Sequence, residues 1–159
     1  MSGPPLAKSR PKKDLMDRLH LSGPEGDYIY DLLYAEATAG RDRLSVDYNA
    51  LTDYSRNNRV QAPYRWDDLQ ETYRHRERMN IVARARPETQ RFYQMGQYGT
   101  TVVDNWVADW FLWHSFRFRD NRTTAANHAN SKQASASSTS ATTNGHYWKT
   151  ILHDTTKPR

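Results

Sequence analysis

Cysteine is absent from the 159 residues, which removes disulfide scaffolds, thiolate catalysis and cysteine-based zinc sites together. Large aliphatic side chains are scarce as well. Ile, Leu, Val and Phe number 24 of 159, under the roughly one-fifth at which an ordinary core becomes doubtful. No long apolar run occurs. The opening "MSGPPLAKSRPKKDLMDRL" carries basic residues with no hydrophobic stretch behind them, so it does not read as a secretory signal, and Asp14 and Asp17 speak against a transit peptide. Catalytic signatures are missing too. The histidines at 20, 75, 114, 128, 146 and 153 make neither H-x-x-x-H nor H-E-x-x-H, and there is no G-x-S-x-G, phosphate loop or dinucleotide fingerprint. The expectation is therefore no catalytic residue, no metal ligand set and no cofactor, with a small enzyme assembled from distant loops as the remote alternative.

Aromatic residues, by contrast, make up 12% of the chain. A polar disordered chain is poor in rings. Tyr and Trp bury a large area yet keep a polar tip that needs a partner, which suits interfaces better than dry cores. The net charge of +5 is too small for self-repulsion to expand the chain. These features point to a small helical body completed by contact with something else.

Charge divides the chain unevenly. Residues 1–13 hold Lys8, Arg10, Lys12 and Lys13 and no acid; residues 14–63 hold nine acids against five bases; residues 64–95 hold seven arginines against five acids. A basic flexible arm (1–13) thus precedes a helical body (14–122) with an acidic first half and an arginine-rich second half. Residues 123–146 are built mainly of Ser, Thr, Ala and Asn, with no apolar side chain larger than alanine, and read as a flexible linker. Residues 147–159 contain "YWKTIL", a docking segment in which Tyr147, Trp148, Ile151 and Leu152 would grip a partner or the body itself.

Within the body the periodicity predicts a mainly α fold, a bundle of four or five short helices. They are expected at Asp14 to Leu21, at Asp27 to Ala39 with Gly40 as C-cap, and at Ser45 to about Arg56 with Tyr48 and Leu51 inward. A longer one runs from Tyr64 to about Ala85, and a short one from Glu88 to Met95. "GQYG" (Gly96–Gly99) reads as a cap and turn. Then comes "NWVADWFLWHSFRFRD". From Thr101 to Phe118 it is too short for a bilayer and contains Asp104 and Asp109. On a helix, Trp106, Trp110 and Trp113 share one ridge, while Ala108, Asp109 and Ser115 lie opposite, interrupted by Leu112 and Phe116. We expect an amphipathic helix whose tryptophans, with Trp66 and Tyr73, close the core.

Two binding functions fit this pattern. In the first, a nucleocapsid- or ribonucleoprotein-like subunit grips phosphates through Lys8, Arg10, Lys12 and Lys13 of the arm, Arg74, Arg78 and Arg84 of the arginine-rich helix, and Arg117 and Arg119 of the "RFR" turn. In the second, an accessory protein is wedged into a large protein assembly, such as a ciliary microtubule lattice or an organellar complex, without nucleic-acid contact. Self-association of the chain is compatible with both.

Overall fold

The computed structural model describes residues 3–136. The docking segment with Tyr147, Trp148, Ile151 and Leu152 lies outside the described residues. The mainly helical expectation is borne out. Six α-helices are present among the described residues: α1 (Lys12–Arg18), α2 (Gly23–Leu44), α3 (Asp53–Asn57), α4 (Glu71–Ala83), α5 (Pro87–Gly96) and α6 (Trp106–Ala136). Strands β1 (Gln97–Tyr98) and β2 (Asp104–Asn105) form one antiparallel pair. The chain divides into two units at Asp120. In the second unit the described residues 121–136 are helix, so the stretch read as linker begins helical; alanine, the best helix former, recurs through it.

Helix α2 begins with Pro24 in its first turn and buries Leu33, Ala37, Gly40 and Leu44, which recur at helical spacing along one face. Gly40 is not a C-cap. It lies inside the helix where α4 crosses, and a Cβ there would stand 2.7 Å from Ile81 Cδ1. The missing side chain sets how close α2 and α4 approach. Glu36, also on α2, accepts the Arg86 backbone N–H (2.9 Å) and the Tyr93 hydroxyl (3.1 Å), which ties down the start of α5.

The expected third helix from Ser45 is broken in two. Asp47 accepts from Asn49 N–H and caps a 3₁₀ turn, Tyr48–Ala50, while Thr52 accepts from Ser55 N–H and caps α3. Two caps five residues apart divide the run, and Tyr48 turns outward. Leu51 then bridges Leu69 across the chain.

Helix α6 is launched by Asn105, 2% exposed, whose Oδ1 accepts from the Val107 and Ala108 N–H groups while its Nδ2 donates to Tyr93 O at 2.6 Å. Gly96 must be glycine here, because a Cβ would meet Val107 Cγ2 at 2.6 Å. Gly99 turns the hairpin at φ +101°, a conformation that suits only glycine. The amphipathic reading of α6 is corrected. Trp106, Val107, Ala108, Trp110, Phe111, Leu112, Ser115 and Phe116 are all buried, so the first three turns are enclosed on most sides, with Asp109, Trp113 and His114 only half-buried. Ala108 and Ser115, read as the far side, are small enough for close neighbours. Ser115 Oγ donates to Leu112 O (2.7 Å), and Arg41 donates to Ser115 O (3.0 Å).

Candidate functional site

The nine cations expected to grip phosphate are largely engaged with the body's own rings and carboxylates. Arg78 is a correction: it is 3% exposed and points inward. Its Nε and Nη2 donate to Asp104 Oδ1 and Oδ2 at 3.0 Å, Nη2 also donates to Glu71 Oε1 at 2.5 Å, and Nη1 lies 3.4 Å from Asp109 Oδ1. That last approach makes no hydrogen bond. Burial alone would lower the guanidinium pKa, but the hydrogen bonds to Asp104 and Glu71 outweigh it and raise it. A phosphate would have to displace three carboxylates to reach this side chain.

Two other cations meet at one ring. Arg74 lies 4.7 Å and Lys8 5.3 Å from the centre of the Trp66 ring, and Arg74 also pairs with Glu71 at 3.2 Å. Lys12 stands 4.1 Å over Tyr30, Arg117 5.0 Å over Trp113 and Arg119 5.0 Å over Phe116. Arg119 further donates to Tyr64 O at 2.6 Å. Arg10 pairs with Asp14 (2.8 Å), and Arg84 donates to Asn80 Oδ1 (3.2 Å). Lys13 is exposed. These cation–π contacts explain how a chain poor in aliphatic residues closes its core: arginine and lysine stems cover the outer faces of the rings.

The N-terminal arm is not free-standing. Trp110 Nε1 donates to Arg10 O at 3.0 Å and His114 Nε2 donates to Lys8 O at 2.7 Å, so residues 8–10 lie along α6. Arg18 donates to Pro4 O and holds the segment further upstream. His114 is stacked on Trp110 with centroids 3.7 Å apart, and burial pushes its pKa below the ordinary imidazole value. Burial, aided by Tyr34 and Asp31, pushes Tyr30 up to about 12.

The surface left open is different from the one expected. Val46 is 64% exposed, Tyr48 59% and Tyr54 78%; Val46 lies just before the 3₁₀ turn Tyr48–Ala50, Tyr48 opens that turn and Tyr54 is on α3, and together they make up one corner of the sequence. Arg56 lies over Tyr48 at 5.5 Å. A third-helix reading that turned Tyr48 inward missed this corner; the capping residues Asp47 and Thr52 were the signal. Among the described residues no group of three His, Asp or Glu side chains is placed to hold a metal ion, and no helix is long and apolar enough to cross a membrane.

Fold and surface together define a mainly helical body with an enclosed central helix and an exposed tyrosine corner. The chain matches no family model, no curated protein and no solved structure.

Proposed function

We propose that this protein is a non-catalytic assembly subunit that binds a protein partner through the corner of Val46, Tyr48, Tyr54 and Arg56. The observation that carries this reading is the exposure of Tyr54, 78%, together with that of Tyr48, 59%. Tyrosine and arginine dominate interface energetics, since they desolvate large area at low entropic cost. Electrostatics favour a protein over nucleic acid. Residues 1–120 hold eighteen bases against seventeen acids, so that part of the chain offers little net charge for phosphate neutralisation.

A second reading, nucleic-acid binding, keeps support from Lys12, Lys13, Arg84, Arg86 and Arg91, which are exposed and form no ion pair among the described residues. One pair of measurements separates the two. A photo-crosslinker at position 54 in extract of the source cells should capture a protein that the Tyr48→Ala/Tyr54→Ala variant binds about 30-fold more weakly. Nucleic-acid affinity that falls steeply with salt and is lost in an Arg84→Gln/Arg86→Gln/Arg91→Gln variant would instead establish the second reading.

A further inference from the structure

One pair of oppositely charged surfaces cannot be satisfied within a single chain. On α2 the buried residues Leu33, Ala37, Gly40 and Leu44 share one face, which meets α4 at Gly40, and the opposite face carries Asp27, Asp31, Ala35, Ala39 and Asp42, all exposed. At about 100° per residue these five fall within roughly a third of a turn. Neither Asp27 nor Asp31 has an ion-pair partner among the described residues, while Asp42 shares one oxygen with Arg41. The alanines between the acids leave room for a long side chain to lie down.

The complementary feature is at the corner between α4 and α5. Arg76, Asn80 and Arg84 follow one another at four-residue spacing, and the Arg84–Asn80 hydrogen bond confirms that ridge. Arg86 at the N-cap of α5 and Arg91 on α5 continue the positive charge, and all four arginines are exposed. Because the acidic stripe is turned away from α4, these arginines cannot fold back onto it.

We propose that copies of this chain associate head to tail, the α4–α5 arginine corner of one lying on the α2 acidic stripe of the next. Arginine suits this role: its stem packs on Ala35 and Ala39 while its planar fork meets a carboxylate. Such a contact is heterologous, so it extends into a ring or an open chain instead of stopping at a dimer. It uses surfaces separate from the tyrosine corner and stands even if that reading fails.

The test is sedimentation velocity on the nuclease-treated full chain. In about 10 mM salt, where the screening length is about 30 Å, the average mass should rise with concentration above the 18.6 kDa monomer. In about 1 M salt, where it is about 3 Å, the monomer should return. Asp27→Lys/Asp31→Lys and Arg84→Glu/Arg91→Glu variants, each checked for native helicity, should be monomeric alone. Mixed together they should associate again, because the retained corner of one meets the retained stripe of the other and the two reversed faces are themselves opposite in charge. A wild-type chain that stays monomeric in low salt overturns the proposal. So does association that survives either double reversal.

Discussion

Arg78 holds Asp104 in a two-pronged grip, Nε to Oδ1 and Nη2 to Oδ2, both at 3.0 Å, and thereby ties α4 to the strand that launches α6. Burial alone would raise the Asp104 pKa, but the Arg78 hydrogen bonds and the Asn105 N–H outweigh it and hold the carboxyl below its ordinary value. Asp109 goes the other way: burial raises it, and Arg78 and Lys8 oppose this only in part.

Removing the guanidinium leaves carboxylates facing one another. Arg78→Met should cost about 3–5 kcal/mol at neutral pH in chemical denaturation. The pH dependence should also invert. In the wild type the depressed Asp104 contributes stability present above its unfolded pKa of about 3.9 and lost as pH falls through the lower folded value. In the variant the unpaired acids prefer to be protonated when folded, so acidification should restore stability. Asp104→Asn should destabilise, whereas Asp109→Asn should bring no loss or a small gain, since the fold already disfavours that charge.

The imidazole of His114 offers a second test. Its folded pKa is depressed by burial, so the neutral form is favoured in the fold. Stability is full above the unfolded value of about 6.5 and falls as pH drops from there toward the folded pKa. Urea midpoints for the wild type should decline across that window more than those of His114→Gln. Parallel curves for the two proteins would refute this role.

At the helix crossing, Gly40→Ala should destabilise by about 1–3 kcal/mol through overpacking against Ile81, partly offset by the better helix propensity of alanine, about 1 kcal/mol. Ile81→Val removes Cδ1, the atom a Cβ at position 40 would approach at 2.7 Å. The double variant should therefore be more stable than the two single losses summed, and thermal unfolding of all four proteins closes the cycle.

Much of the body was legible in the pattern of rings. Trp66, Trp106 and Trp110 are buried, with Tyr73 and Trp113 at the edge of the core. The enclosure of α6 was not, because Ala108 and Ser115 look like a solvent face until neighbours are known to cover them. Gly40 looked like a stop for the same reason: a close crossing with Ile81, forty-one residues away, leaves no local trace. The cations misled most. Lys8 and Trp66 are distant in sequence, and periodicity within one helix cannot tell a ring-covering lysine from a phosphate ligand. Arg78 shares a helical face with Arg74, yet the small rotation between them takes one inward to Asp104 and leaves the other partly covered over Trp66.

The anchoring of residues 8–10 has a consequence for how this protein can change over time. Trp110 and His114 hold main-chain carbonyls, of Arg10 and Lys8, not side chains. Every residue type presents that oxygen, so these two hydrogen bonds tolerate substitution at positions 8 and 10, while the tryptophan and histidine that supply the donors are not free to drift.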